Sequence, residues 1–457
     1  MLTVINPATE DVINQIVEDD SVSIARKFEE ANAAQRDWSA RSLAERTERI
    51  QKFNQLLKEN VEPLAVILTG ETGKPIAQAR AEIRTTTERI PFFLDQVEQV
   101  LAPETVFHDA NSGMKERITH EPLGVIANIS AWNYPYFVGS NVFIPALLAG
   151  NAVLYKPSEY ATMTGRSIAQ LFTDVGLPEG VFHVVAGGGQ SGADLLGQPL
   201  DGVFFTGSYE TGRKIAAAAA QRLMKVQLEL GGKDPAYVCD DADVGAIAPA
   251  LADGAFYNTG QSCCAVERIY VNERIYHSFI EAFVETVKGF KVGDPADPET
   301  YIGPLTREAQ LQVLDAQVQD AVEKGATLRC GGKRIERNGY FFQPTVLVDV
   351  NHSMAVMRDE SFGPIIGIQS VRDDKEAVEM MLDTPYGLTS SVYTPNQSRA
   401  ETLLHQMNSG TVYWNCCDRV SPRLPWSGRG HSGIGLTLST YGIQAFTQPK
   451  AWHLRSL

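Results

Sequence analysis

The chain has 457 residues, a formal net charge of −15 and 44% apolar against 21% charged residues, an ordinary composition for a globular protein of two or three domains. Its isoelectric point near 5.1 excludes the basic face that nucleic acid requires, so no nucleic-acid partner is expected. Six cysteines without a C-x-x-C spacing and eight scattered histidines exclude a zinc-ligand pattern and suit a reducing cytoplasm, so no metal is expected and the location expected is cytoplasmic.

The N-terminus, MLTVINPATED, has neither a basic region nor a long apolar run, so no signal peptide is expected. Residues 21–60 carry apolar residues at three-to-four spacing with charges between them and are predicted helical. A third helical pattern runs from Pro75 to about Val100. The segment VFHDANSGMKERITHEPLGVIANIS then alternates and contains turn signals, which predicts a hairpin leading into a buried strand. The most apolar stretch, Val142–Tyr155, is broken by Pro145, Gly150 and Asn151 and is too short to span a bilayer, so no membrane partner is expected.

From there strand-like runs (LGVIANIS, NAVLYKP, GVFHVVAG, GVFFTGS) alternate with helical ones (MTGRSIAQLFTDVG, TGRKIAAAAAQRLM). That alternation predicts an α/β domain with a parallel sheet, whose ligands gather beyond the carboxyl ends of the strands. After residues 227–230 a second region of the same kind begins, with AYVCDDAD, ERIYVNE, TLRCGG, TVLVDV, IIGIQSV and TSSVYT as strands and DAQVQDAVEKG as helix. It predicts a second α/β domain.

Four stretches carry chemistry. NTGQSCCAVER, Asn258 to Arg268, places Cys263 and Cys264 after a turn whose N–H groups would favour a thiolate, although free cysteines are often inert core. LELGGKDP sets Glu229 before a Gly-Gly pair, either as a functional carboxylate or as an ordinary strand-end partner of Lys233. SAWNYP puts Asn133 after a strand, as an oxyanion donor or as turn chemistry. DESFGP places Glu360 before an aromatic and a Gly-Pro turn.

Taken together, and in this order, INPATE, WNYP, PALLAGNAVLYKPSE, FTGS, ELGGKDP, GQSC, ESFGP, NSGTVYWN and SGIG resemble the aldehyde dehydrogenase superfamily over nearly the whole chain. The resemblance implies a Rossmann-like cofactor domain (1–105 and 123–230), a catalytic domain (231–428) and a small β oligomerisation element (106–122 and 443–457) that makes a homodimer or homotetramer. The family pattern N-x-G-Q-x-C selects Cys263 over Cys264 as the nucleophile. Asn133 would hold the oxyanion and Glu229 would activate the water that releases a carboxylic acid; relatives that pass the acyl group to coenzyme A typically lack this glutamate. The cofactor implied is NAD, with NADP possible, because Glu159 beside Lys156 repels a 2′-phosphate. Trp132, Gly207, Ser208, Leu230, Glu360 and Phe362 complete the cofactor set. Gly207 to Gly212 opens a helix whose first N–H groups suit a pyrophosphate, though it is not a G-x-G-x-x-G run.

The chain departs from the family at Ala131, often Pro in relatives, and at Asn141-Val142. There relatives place an arginine that grips a carboxylate-tailed aldehyde, or a tryptophan that helps cage a trimethylammonium. The remaining tunnel candidates, Tyr134, Phe137, Val138, Asn141, Tyr257, Ser262 and Cys264, suggest a mostly apolar wall and an uncharged aliphatic or aromatic aldehyde. The alternatives are a semialdehyde or betaine-aldehyde dehydrogenase, a non-catalytic relative of the fold, and a cysteine hydrolase needing a histidine base. By the same resemblance Cys416 and Cys417 lie at the tunnel mouth, either as small loop residues or as thiols that resolve an oxidised Cys263 as a disulfide.

Overall fold

The computed structural model describes residues 1–455; Ser456 and Leu457, the end of the expected oligomerisation segment, lie outside the described residues. The N-terminal helical region comprises Ser21–Ala40, Leu43–Glu59, Val61–Thr72 and Ile76–Leu101. Asp20 caps the first by accepting from the Ser23 N–H at 2.8 Å. Ser42 and Glu45 close a capping box on the second, which is why the expected helix at 21–60 breaks at Arg41. Two helices were not expected. Val61–Thr72 and Pro135–Ala149 are apolar on most faces, the second buried at all but one residue, so neither has the polar stripe that makes a helix visible as a period.

The first sheet has six strands in the order Gly433–Ile434, Lys225–Glu229, Gly202–Thr206, Val125–Ile129, Ala152–Lys156, Phe182–Val184. All pairs are parallel except the short strand 433–434, which runs antiparallel to 225–229. The chain therefore begins in the middle at Val125–Ile129, winds outward through Ala152–Lys156 to Phe182–Val184, and returns to the other side at Gly202–Thr206. The reversal opens a crevice beyond Ile129 and Thr206, the usual ligand position in such sheets.

The second sheet has seven strands, in the order Thr327–Cys330, Thr345–Val348, Ile365–Val371, Val266–Asn272, Asp234–Val238, Thr389–Tyr393, Thr411–Trp414. Only the edge strand 327–330 is antiparallel. The link from Glu229 to Asp234 is the Gly231-Gly232-Lys233 turn, so the two sheets meet where one strand ends and the next begins. The fold is thus the doubly wound α/β architecture with a second sheet domain.

A third sheet joins Glu104–Asp109, Met114–Pro122 and Thr447–Arg455, with nine residues of the last strand in antiparallel register from Thr447↔Pro122 to Arg455↔Met114. Its strands are largely exposed; Val106 and Phe107 are 56% and 43% accessible. Among the described residues no helix is long and apolar enough to cross a membrane.

Candidate active site

A cavity of about 860 Å³ occupies the crevice beyond the first sheet. All eight residues expected for the cofactor (Trp132, Lys156, Glu159, Gly207, Ser208, Leu230, Glu360, Phe362) line it, and so do Asn133, Glu229 and Cys263. They reach it from four strand ends of the first sheet and two loops of the second.

The turn before Cys263 is built from unusual backbone. Asn258, Thr259 and Gly260 all have positive φ (55°, 58° and 70°). A side chain at Gly260 would sit 2.3 Å from the Gly363 carbonyl, so glycine is required there. The Asn258 amide holds the strained turn by donating to the carbonyls of Asn133 (3.2 Å) and Gln261 (3.0 Å), and the Asn133 amide donates to the same Gln261 carbonyl at 3.1 Å. These bonds fasten the Asn133 loop to the cysteine turn. Asn133 keeps a second amide proton, and the Cys263 N–H has no partner among the described residues. Two spare donors therefore sit on the wall beside the Cys263 thiol.

The adjacent thiols differ in environment. Cys263 is partly exposed to the cavity, whereas Cys264 is buried and donates to Asp418 at 2.9 Å. Its hydrogen bond with Cys263, burial and the Asp418 charge hold the Cys264 thiol far above its ordinary range. Cys264 stays protonated. Cys417 packs beside Gly254 in a different core cluster from Cys264, and all six cysteines are free.

Glu229 is the last residue of its strand and is 6% exposed. Burial raises its carboxyl to about 7, opposed by the Thr437 hydroxyl that donates to Oε1 and by the charge of Arg89. A carboxyl near 7 suits general-base work at neutral pH. Glu360 accepts from the Gly232 N–H at 3.2 Å and is raised to about 8, first by burial and then by the Glu267 charge. Glu267 also receives the N–H groups of Ser361 (2.8 Å) and Phe362 (3.0 Å), which sets the left-handed backbone of Phe362 (φ 49°) and aims its ring at Trp132, edge to face at 5.5 Å.

The cavity suits a dinucleotide. Lys156 is buried and its ammonium has one protein acceptor, the Pro157 carbonyl at 3.2 Å, leaving donors for ribose hydroxyls beside Glu159. Ser208 caps the helix Tyr209–Arg222, whose N-terminus opens on the cavity. Gly189 has nothing within 4 Å of a would-be Cβ, and Gly192 faces the Lys156 stem, so backbone approaches the ligand space closely on that side.

The seven expected tunnel residues take another position. Tyr134, Phe137, Val138, Asn141, Tyr257, Ser262 and Cys264 do not line the cavity; Tyr134, Phe137 and Asn141 meet side chains of residues 74–89 instead. Charged side chains lie beside several of them. Arg89, 4% exposed, donates to Asn141 Oδ1 at 2.9 Å and lies 4.2 Å over the Phe137 ring. Lys74 sits 3.8 Å over the Tyr134 ring and pairs with the buried Glu82, while Asp418 takes the Cys264 proton bond. None of these four charges was foreseen, nor was Arg307, Gln310 or Thr437. Glu82 and Arg89 are seven residues apart on one helix face, flanking the Ile83–Ile90 stripe. In sequence they look like the solvated charges beside any apolar stripe.

The aldehyde dehydrogenase family model matches residues 1–452. A protein of Deinococcus radiodurans named succinate-semialdehyde dehydrogenase [NADP(+)] is 35% identical over 98% of this chain and 93% of its own. The betaine aldehyde dehydrogenase of Beta vulgaris chloroplasts is 34% identical over 98% of this chain and 92% of its own. The crystal structure of lactaldehyde dehydrogenase from Escherichia coli superimposes with a TM-score of 0.96 at 34% identity, covering 99% of this chain and 95% of that one.

Proposed function

The chain belongs to the aldehyde dehydrogenase family, and from that premise we propose that it oxidises an aldehyde to the free carboxylic acid with Cys263 as nucleophile and Glu229 as general base. The carrying observation is that both residues, with Asn133, face one cavity at the junction of the two sheets. The Cys263 thiolate adds to the aldehyde carbon, and the new oxyanion lies against the spare protons of the Asn133 amide and the Cys263 N–H. A dinucleotide held in the cavity would supply the hydride acceptor that no side chain offers. With hydride passed to that acceptor a thioester would remain on Cys263, and ionised Glu229 takes a proton from the water that attacks it. Thiolate and acid are released, and no acyl acceptor other than water is needed.

Trp132, Lys156, Glu159, Gly207, Ser208, Leu230, Glu360 and Phe362 are the residues proposed to hold the dinucleotide. Glu159 favours NAD, since a carboxylate at the ribose edge repels a 2′-phosphate. The relative named for NADP makes the ratio a measurement worth taking early. The test of the whole reading is NADH formation with the full chain over an aldehyde panel, without coenzyme A, and product identified as the acid. Absence of dinucleotide reduction with every aldehyde, alongside ester hydrolysis, would favour the hydrolase alternative.

The same reading assigns residues 1–105 and 123–230 to the cofactor domain, 231–428 to the catalytic domain, and the third sheet to assembly as a homodimer or homotetramer. Both edge strands of that sheet lack a further partner among the described residues, and an exposed edge is a template for a second copy. A chain cut after Gln444 that keeps the parent's mass in light scattering would contradict this assignment.

A further inference from the structure

Five acids are buried among the described residues: Glu71, Glu82, Glu229, Asp234 and Glu267. Four of them show what a structural carboxylate requires. Glu71 accepts the Thr164 N–H on Oε1 at 2.6 Å and the Met163 N–H on Oε2 at 2.9 Å. Asp234 accepts the Thr389 N–H on one oxygen at 3.1 Å and the Thr389 hydroxyl on the other at 2.6 Å. Glu82 accepts the Tyr136 N–H on Oε1 at 2.9 Å and pairs Oε2 with Lys74. Glu267 holds Lys233 and the Ser361 N–H on Oε2 and the Phe362 N–H on Oε1. Both oxygens of each are satisfied, as burial demands. Glu229 is built differently. The Thr437 hydroxyl donates to its Oε1, and its Oε2 receives no donor among the described residues. That oxygen is not a sealed, unpartnered atom; it opens on the cavity that Glu229 lines.

The Glu229 backbone is fixed from both sides. Its carbonyl accepts from the Gly207 N–H at 3.0 Å, and it stands opposite Gly433 in antiparallel register. The side chain still turns about its own bonds, and the bond from Thr437 is what limits it. Arg89 from the helix Ile76–Leu101, Gln227 from the same strand and Thr206 from the neighbouring strand also face the carboxylate. None of the three meets the hydrogen-bond geometry that Thr437 meets, and both polar atoms of the Gln227 amide stay without a partner. Thr437 has its hydroxyl to spare. It is fully buried, and its own N–H and carbonyl both pair with Trp426, at 2.9 and 2.8 Å. Other hydroxyls of the same segment serve the backbone. Ser432 accepts from the Gly387 N–H at 3.0 Å, Ser439 from the Tyr441 N–H at 3.2 Å, and Thr447 donates to the Gln444 carbonyl at 2.9 Å. Thr437 does not line the cavity, so it acts there through Glu229.

We propose that Thr437 is a positioning residue for the hydrolytic half of the reaction: by holding Oε1 of Glu229 it leaves Oε2 as the one basic oxygen and fixes it toward the cavity that Cys263 also lines. The inference rests on the proposed function above and deepens it. In that step Oε2 takes one proton from the attacking water, the water oxygen bonds to the thioester carbon, and the carbon–sulfur bond breaks to return the thiolate. The Thr437 proton stays on its hydroxyl throughout.

The test follows NADH formation by the full chain, in the first turnover and at steady state, across pH, with an aldehyde that the wild-type chain oxidises. Thr437→Val keeps the side-chain shape and both bonds to Trp426 and removes the donor. A burst of NADH at a rate within about threefold of wild type should precede a steady rate slower by about tenfold, the scale of a hydrogen bond to a charged group. The rise of kcat with pH should move upward by roughly one pH unit, because the lost donor favoured the ionised carboxyl. The plateau above that rise should stay about fivefold below wild type, since the freed carboxylate is no longer held in place. Thr437→Ser should restore the steady rate and the pH profile. If Thr437→Val does not fold, Thr437→Ala removes the same hydroxyl with a smaller side chain. A variant that slows burst and steady rate alike, an unmoved pH profile, a plateau recovered in full, or a serine variant as slow as the valine one would each overturn the role of Thr437. A burst in Glu229→Gln with none in Thr437→Val would do so while leaving the proposed function intact; no NADH from the wild-type chain with any aldehyde would instead remove the function beneath it.

Discussion

On one side of Cys263 the chain is hollow, and on the other it is packed. The hollow side is a cavity of about 860 Å³ walled by strand ends, glycines and helix N-termini. The packed side is formed by the helices Ile76–Leu101 and Pro135–Ala149 and holds Lys74, Glu82, Arg89 and Asp418 close together. The hollow side is generic to a parallel sheet that reverses its winding, because the crevice there exists whatever the side chains are. The packed side has no such obligation. Its shape is set by individual side chains crossing from one helix to another.

The largest effect expected across this divide is at the boundary itself. Cys263→Ala should abolish oxidation, by at least about a thousandfold, while dinucleotide binding measured by fluorescence quenching persists, because the thiol touches the cavity without shaping it. Loss of binding together with turnover would mean that the two sides are not separable.

Glu229→Gln comes next. The base is lost but the nucleophile is not, so a burst of NADH should precede steady turnover slower by about a hundredfold or more. Wild-type kcat should rise with pH and level off above about 7, where the raised carboxyl ionises; the variant should lack that limb. Stability has its own sign. The folded carboxyl is raised above its ordinary value of 4.5, so the stability it contributes is full below that value and is lost as pH rises through about 7. The loss amounts to about 3 kcal/mol at most. The glutamine variant should therefore gain in melting temperature relative to wild type between pH 5 and 8. A difference independent of pH would show that Glu229 is not raised.

Replacing Glu159 by serine tests the hollow side alone. The ratio of kcat/KM for NADP over NAD should increase by roughly tenfold as a like charge is removed. An unchanged ratio would put the ribose edge elsewhere.

The same divide governs what the sequence made legible. Glu229, Asn133 and Lys156 stand at strand ends or in the turns beyond them, Cys263 and Glu360 in turns that lead into strands, and their neighbours Gly, Pro and Asn mark those turns. Short apolar runs located the strands, so the site at their ends could be located too. Arg89 and Glu82 stand mid-helix, where a charged residue every three or four positions reads as solvated surface. Their burial depends on the helix Pro135–Ala149 crossing above them, and that helix was itself invisible because it is apolar all round. The N-terminal hairpin Leu2–Ile5 and Val12–Ile16 was missed for a simpler reason: short strands without strict alternation carry no period.

The smallest expected effect concerns the thiol just inside the packed side. Cys264 donates to Asp418 at 2.9 Å and lies 3.5 Å from the Ser262 hydroxyl. It is buried, and its hydrogen bonds and burial keep it protonated, so it has neither the ionisation nor the exposure of a nucleophile. Cys264→Ala removes one sulfur from a packed site and leaves Asp418 without that donor. The cost should be on the order of 1–2 kcal/mol of stability, read as a small drop in the denaturant midpoint. Turnover should stay within about threefold of wild type, since 1.4 kcal/mol at the barrier would already be tenfold. Iodoacetamide should still inactivate the variant through Cys263, and dinucleotide should alter the rate of that inactivation because Cys263 faces its cavity. If Cys264→Ala instead loses turnover while Cys263→Ala keeps it, the roles of the two thiols are exchanged, and the boundary between hollow and packed sides lies one residue further along the chain.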